Sequence, residues 1–443
     1  MKKRFIAFKI ALTAALILLT AAAVSLAAFA APPAPQAASA SAAFATAASG
    51  AAATAAASVI ESPNVRIVID GIVGNYTDAP IEINNRILLP FRELLTKLGV
   101  PNDDEHIIWN EAEESVTVRD GDTEIRLAIG NNVMSVNGVE KQFDIAPFFY
   151  EKIDRTYIPV RAVSELLDKL VTWEESSTTV YVRGKENYAE TVELLERISD
   201  ADEHLKMQAS AETELRIKIS AKKTKLPNAD ETGAVNITST ISQIIRADAE
   251  ANVKYIKQVG SIMGDNIGSE MFVIGDRAFA KVEGPDSQWI DGGGLQMDSF
   301  SAINNQVGAI GSQMSARSPE ESAMRLGIAK NPDGTYSIVG EPINIADINS
   351  IFDEVNKAAV FGNNASINAM VSKLQISETL DSNLRLQKSV IAMGYSMTMP
   401  DMDIGGGKRD TVYFDIDSYM VVNYDDVPAD YSIEIPAEIQ KML

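Results

Sequence analysis

The sequence predicts an α+β protein, in which a duplicated small β/α domain is followed by an antiparallel sheet wrapped on helices. Three observations predict it. Residues Val65 to Gly184 repeat themselves, so two copies of one supersecondary unit are expected there. From Met207 onward, long runs alternate polar and apolar residues at period two, the mark of half-buried strands. Between those runs the apolar spacing changes to three and four, so helices are expected to cover the sheet. At 443 residues the chain exceeds one ordinary domain. It divides into an export signal (1–30), an Ala/Ser/Pro-rich tether (31–60), the duplicated domain (61–185) and the sheet-and-helix domain (190–443).

Lys2, Lys3, Arg4 and Lys9 precede a run from Ile10 to Ala31 that carries no charge. A basic segment followed by an apolar one reads as a secretion signal. The small residues of Ser25-Leu26-Ala27 and Ala28-Phe29-Ala30 place cleavage near Ala30 or Ala31. The run is also long enough to span a bilayer, so an uncleaved anchor is the alternative. Either way the rest of the chain is exported, to the cell surface or beyond. Residues 31–58 are almost all Ala, Ser, Thr, Pro, Gly and Gln, with Phe44 the one large side chain, and are expected to form a disordered tether.

Composition excludes more chemistry than it supports. A net charge of −22 repels phosphate backbones, so nucleic acid is not expected as a partner. The absence of cysteine removes disulfides, thiolate metal sites, cysteine nucleophiles and a lipid-modified cysteine. Only His106 and His204 remain for imidazole chemistry. The glycine clusters at 292–294 and 405–407 lack the strand, helix and lysine context of a phosphate loop. No catalytic residue, metal or cofactor is expected.

The repeat is carried by dissimilar residue types in register. Arg86-Ile-Leu-Leu-Pro90-Phe-Arg92 recurs 69 residues later as Arg155-Thr-Tyr-Ile-Pro159-Val-Arg161. Trp109-Asn-Glu111 with Val116-Thr-Val118 recurs 64 residues later as Trp173-Glu-Glu175 with Val180-Tyr-Val182. Upstream, Asp78-Ala-Pro80 answers Asp144-Ile-Ala-Pro147. Pro90 and Pro159 stand where a helix accepts a missing N–H. After them Phe91, Leu94, Leu95 and Leu98, and likewise Val160, Val163 and Leu167, follow helical spacing. Gly99 supplies a left-handed stop for the first helix, and Asp168 stands at the matching place in the second.

This pattern resembles the bacterial stalk domain, also called the copper amine oxidase N-terminal-like domain, over about 120 residues. The matches are Asn85-Arg86, Pro90, Arg92, Leu98-Gly99 and Trp109, then Asp154-Arg155-Thr156, Pro159, Arg161, Leu167 and Trp173. The resemblance implies an exported accessory module with no reaction of its own. Copper is not expected: two histidines cannot supply three imidazole ligands, and Asn423-Tyr424-Asp425, which fits the tripeptide of a quinone-forming tyrosine, reads as a strand end. Arg92 and Arg161 are expected to tie helix starts to neighbouring strands, with recognition of wall carboxylates or phosphates as the alternative. Trp109 and Trp173 are expected as core anchors, with carbohydrate stacking as the alternative.

In the last domain, strands are expected at Met207–Ile219, Val235–Ile245, Ala251–Val259, Ser269–Ile274, Arg277–Glu283, Val371–Thr379, Leu384–Met399 and Asp410–Val422. Helices are expected at Phe300–Met314 and Ile345–Ala359. This order resembles the LolA-like and LppX-like lipoprotein-carrier half-barrel, through Met271-Phe-Val-Ile-Gly275-Asp276-Arg-Ala-Phe279, Ser287-Gln-Trp289-Ile290 and the closing Ile433-Glu-Ile435-Pro436. The resemblance implies an apolar ligand held between sheet and helices. Ile391, Met393, Tyr395, Met397 and Met399 share one strand face. Of these, Met393, Tyr395, Met397 and Met399 are the candidate ligand-binding residues, because methionine adapts to varied apolar surfaces. A packed core is the alternative. Asp401-Met-Asp403-Ile-Gly405 reads as a turn rather than a calcium loop, since Val412 stands where the closing glutamate would be.

The expected function is that of an exported, non-catalytic envelope protein that binds a lipid or other apolar ligand, or contacts a cell-wall or envelope component. A purely structural surface protein with a filled barrel is the alternative, and an enzyme working through paired carboxylates is the third.

Overall fold

The computed structural model describes residues 59–443 except 201–205, 224, 227–228, 249, 263–264, 276, 285–286, 292–317, 342–344, 346–348, 350–367, 406–407 and 429. The expected export signal, most of the tether and the helix at Phe300–Met314 lie outside the described residues. Strand accounts for 56% of the described residues and helix for 13%, so the α+β expectation is corrected to a mainly β protein. The strands run longer than their apolar cores, and further short strands appear where none was expected. Contacts divide the described residues into two units, one of residues 59–191 with 323–327 and the other of the remaining described residues.

In the first unit, β1 (Ile60–Glu61), β4 (Ile81–Ile83), β5 (Arg86–Pro90), β12 (Arg155–Pro159) and β11 (Phe148–Tyr150) form one sheet in that order. Its centre carries the duplication. β5 and β12 pair antiparallel as Tyr157 to Pro90, Ile158 to Leu89 and Pro159 to Leu88. Leu89 and Ile158 are repeat equivalents and face each other, so a local two-fold axis passes between them. Each repeat therefore offers the other the same strand edge, as in an isologous contact. Alternation sends Leu89 and Ile158 into the larger core and Leu88 and Tyr157 into a smaller one with Ile81, Ile83 and Ile145, which buries both faces of this sheet.

Each proline ends its strand and starts a seven-residue helix, α1 (Phe91–Lys97) and α2 (Val160–Leu166). Gly99, with φ +103°, and Asp168, with φ +57°, turn the chain out of these helices at equivalent positions. A second sheet runs β10 (Val139–Gln142), β9 (Val133–Val136), β8 (Thr123–Ala128), β7 (Ser115–Asp120), β6 (Ile107–Asn110). A third runs β13 (Lys169–Glu174), β14 (Thr179–Gly184), β2 (Arg66–Ile69), β3 (Ile72–Val73). There β14 and β2 are parallel, so the end of the second repeat closes on the start of the first.

Helix α3 (Lys185–Asp200) follows β14 directly. No helix is expected there from repeat spacing, although Tyr188, Val192, Leu195 and Ile198 provide the signal. Arg183, fully buried, holds this corner: it pairs with Asp70 at 3.2 Å and donates to Thr191 Oγ1 at 2.9 Å and to the Asn187 carbonyl at 3.2 Å. Residues 323–327, from helix α4 (Pro319–Arg325) and the strand after it, complete the unit. The Arg325 guanidinium lies over the Tyr181 ring at 4.9 Å, donates to its hydroxyl at 2.8 Å and pairs with Glu174. A Cβ at Gly327 would collide with the Asp70 carbonyl oxygen, so only glycine fits that approach.

The second unit is one antiparallel sheet of 11 strands in the order β20 (Ile290–Asp291), β19 (Arg277–Val282), β18 (Asp265–Ile274), β17 (Val253–Ile262), β16 (Val235–Asp248), β15 (Lys206–Ala221), β25 (Lys408–Asp425), β24 (Leu386–Gly405), β23 (Asn368–Leu380), β22 (Tyr336–Gly340), β21 (Leu326–Lys330). Two meanders thus meet where the first long strand pairs with the last, β15 with β25. The hairpin β21–β22 turns at Asn331-Pro332-Asp333-Gly334, where Gly334 has φ +87° and Asp333 accepts from the Thr335 backbone and hydroxyl. The turn expected at Asp401–Gly405 is corrected as well: β24 continues to Gly405, with irregularities on either side of Met402 that leave Asp401 at φ +57° and paired with Arg409.

Candidate functional site

Side-chain alternation makes one face of the central strands β16, β15, β25, β24 and β23 a continuous buried surface. On β15 the odd residues from Ala209 to Ile219 are buried, and on β25 the even residues from Val412 to Val422. On β24 the odd residues from Ser389 to Met397 are buried. Register lines them into rows across strands, such as Tyr395, Ile416, Ile217 and Ile237, and next to it Met397, Phe414, Ile219 and Val235. Period two and ladder pairing together produce this, since every residue of one parity must face the same side.

The candidate ligand-binding residues are brought together here. Met393, Tyr395 and Met397 are buried, and Met399 packs half-buried on the same cluster. Ile345 belongs to that cluster, whereas Phe300, expected to face it, lies outside the described residues. Near one end of β23, the Asn349 side chain brackets Val371, accepting its N–H at 2.6 Å and donating to its carbonyl at 2.9 Å. An amide can substitute for a neighbouring strand in this way because it carries one donor and one acceptor in peptide-like geometry.

Polar groups interrupt the apolar face at several places, Ser418 and Asp410 of β25 among them, and two of these are clusters. The first is Glu378, Ser389 and Tyr424. Glu378 and Ser389 are cross-strand partners; the Ser389 hydroxyl donates to Glu378 at 3.5 Å and lies 3.3 Å from the Tyr424 hydroxyl. Burial pushes the Glu378 carboxyl up to about 8, against the lowering effect of the Ser389 bond. Burial raises the Tyr424 and Tyr395 hydroxyls above their usual range too. The second place is Thr213, Ser239 and Gln243, on the two adjacent strands β15 and β16. All three are at most 5% exposed. Thr213 Oγ1, Ser239 Oγ and Gln243 Oε1 have no hydrogen-bond partner, and Gln243 Nε2 donates to Gln258 at 3.4 Å. Sequence reasoning passed over these residues, although a polar residue on the apolar phase of an alternating strand is the signal that marks them.

In the first unit the motif residues build structure. Arg86 pairs with Asp144 and Arg155 reaches Asp78 at 3.5 Å, so each repeat's arginine engages the other repeat's equivalent aspartate. Pro90 and Pro159 are the strand-to-helix junctions. Arg92 pairs with Asp104 at 3.3 Å and lies over the Phe91 ring, while Arg161 is exposed. The tryptophans are corrected: Trp109 is 37% and Trp173 39% exposed, so neither is a core anchor. Both lie on edge strands, β6 and β13, where one flank has no neighbouring strand. Trp109 leans on Phe91 and Trp173 donates to Glu175 at 2.6 Å.

The residues do not fit copper. His106 is held by Asp103, with Nδ1 2.7 Å from Oδ1, and His204 lies outside the described residues. Among the described residues no three His, Cys, Asp or Glu side chains converge as a metal would need. Tyr424 is the strand end expected from its tripeptide, with its ring packed on the sheet core. Among the described residues no helix is long and apolar enough to cross a membrane.

Residues 68–182 match the copper amine oxidase N-terminal domain family, the accessory rather than the catalytic part of that enzyme. Among curated proteins none matches the chain. Among solved structures, the ywiB protein from Bacillus subtilis aligns at 8% identity over 50% of this chain and 96% of its own, with a TM-score of 0.18. A beta-barrel-like protein of a domain of unknown function from Brucella abortus aligns at 10% identity over 50% of this chain and 98% of its own, also with a TM-score of 0.18. Likenesses this faint place no constraint on the fold.

Proposed function

We propose that the protein is an exported, non-catalytic component of the cell envelope. The first unit serves as a stalk, and the inner face of the second holds a lipid or other apolar molecule, in the manner of the lipoprotein-carrier half-barrel. The observation that carries the reading is the continuous buried face centred on Met393, Tyr395, Met397 and Met399. An apolar face of this extent, rich in adaptable methionine, is the surface an acyl chain would require. The basic and apolar N-terminus supports export, and a cell-wall or envelope component would be the stalk's partner. A second reading, a filled barrel acting only through wall or protein contacts, draws on the same near-complete burial. Native mass spectrometry of the protein purified from its host envelope separates them. A co-purified lipid, lost on mild organic extraction without unfolding, is expected; a ligand-free mass with full stability would favour the filled barrel.

A further inference from the structure

Three buried polar atoms without partners lie on neighbouring positions of the inner face. Thr213 stands directly opposite Ile241, with Ser239 and Gln243 two residues to either side on the partner strand. Thr213 is therefore the diagonal neighbour of both, about 7–8 Å away, and the patch extends about 13 Å along the sheet. Leaving one hydroxyl or amide oxygen buried and unpaired is costly, and three together are the signature of a missing partner. Most flanking side chains are apolar, with Ala211, Leu215, Ile217, Ile241 and Ile245 all buried; Gln258 opposite Gln243 and Ser418 opposite Leu215 are the polar exceptions.

We infer that Thr213, Ser239 and Gln243 form a head-group site, which receives the uncharged, polyhydroxylated end of an amphiphile whose acyl chain lies on the methionine-lined face. This rests on the apolar-ligand reading above. The chemistry follows from the orphaned atoms. Two hydroxyls both donate and accept, and Gln243 Oε1 accepts only. A carboxylate could not donate to Gln243, whereas a ligand hydroxyl serves all three. The length of the patch calls for at least two such hydroxyls, as in a glycerol or sugar head. Among the described residues of this unit, no lysine or arginine is fully buried to neutralise an anionic head. Lys254, half-buried two inner positions along β17 from Gln258, is the nearest cation of that strand on this face. Glu378 stays protonated to about pH 8 and so adds no charge at neutrality.

The test is displacement of a fluorescent acyl probe from the full chain by monopalmitoylglycerol, hexadecanol and palmitate, which share one chain length. The glyceride should displace the probe at roughly tenfold lower concentration than the other two, one to two hydrogen bonds' worth. Thr213→Val with Ser239→Ala and Gln243→Leu should abolish that preference while retaining probe binding. Thr213→Val and Ser239→Ala remove only unpaired polar atoms, so that double variant should not lower the urea midpoint, whereas Gln243→Leu also removes the donor to Gln258; if the triple variant fails to fold, Thr213→Val alone should narrow the preference. Equal displacement by all three competitors, or a preference unchanged in the variants, would overturn the head-group site and leave the apolar-ligand reading standing. Failure of the wild type to bind probe or any competitor would overturn both.

Discussion

The two units satisfy their buried polar groups differently. In the first, the buried Arg183 guanidinium is met by Asp70, the Thr191 hydroxyl and the Asn187 carbonyl. Its orphaned side-chain atoms include the Tyr76 hydroxyl on a loop, the Ser164 hydroxyl on a helix and Nε of Arg183 on a strand. In the second, three orphaned atoms are cross-strand neighbours on one face. A scaffold has no reason to concentrate unmet hydrogen bonds, whereas a receptacle does, because its ligand meets them. Under the proposed function, that difference would fit support by the first unit and capture by the second.

The largest expected effect compares the two interiors directly. Leu89→Ala, at the two-fold axis of the first unit, should cost about 2–5 kcal/mol, because a buried leucine leaves a cavity its neighbours cannot fill. Met397→Ala should cost as much if the second interior is packed without ligand, and clearly less if ligand removal already leaves space there. Urea unfolding of the delipidated chain distinguishes these, and equal costs would weaken the contrast.

Next comes the buried corner of the first unit. Asp70→Ala leaves the Arg183 guanidinium buried without its carboxylate, and burial already disfavours its charged form. Because Asp70 itself is partly exposed, a loss of about 3 kcal/mol is expected, the lower end of the range for a broken buried pair. A loss below about 1 kcal/mol would show that Thr191 and the Asn187 carbonyl suffice to hold Arg183.

A pH dependence sharpens the picture of the second unit. Glu378 titrates near 8 when folded, far above an exposed carboxyl. Between those values the unfolded chain has released a proton that the folded chain keeps, so stability should fall as pH rises from about 5 to 8 and level off above. Glu378→Gln should flatten that slope, read as the urea midpoint against pH. An identical slope in the variant would show that Glu378 reaches solvent.

The smallest effect belongs to the repeat's surface pairs. Arg86 and Asp144 are both exposed, so a double-mutant cycle should give a coupling of only about 0.2–1 kcal/mol, weakened by salt. A larger, salt-resistant coupling would make these pairs a true lock on the two-fold axis.

The sequence by itself determined the elements whose signals are local or periodic. The duplication, the proline-started helices, the stops at Gly99 and Asp168, and the inward phase of β15, β24 and β25 were all legible. Each depends on residue identity within a turn of helix or a two-residue pleat. The fold class was misjudged because β21, β22 and several short strands of the first unit went unread despite the Asn331-Pro-Asp-Gly turn; α3 also went unread despite the apolar spacing from Tyr188 to Ile198. Tertiary structure alone decided the rest. That Leu89 faces Ile158, that Trp109 and Trp173 stand on edge strands, that Arg325 joins the first unit, and that Thr213 is the diagonal neighbour of Ser239 and Gln243 depend on which strands become neighbours. Strand pairing brings together residues distant in the chain, and no local pattern encodes the partner: alternation says which way a side chain faces, and register says what it meets there.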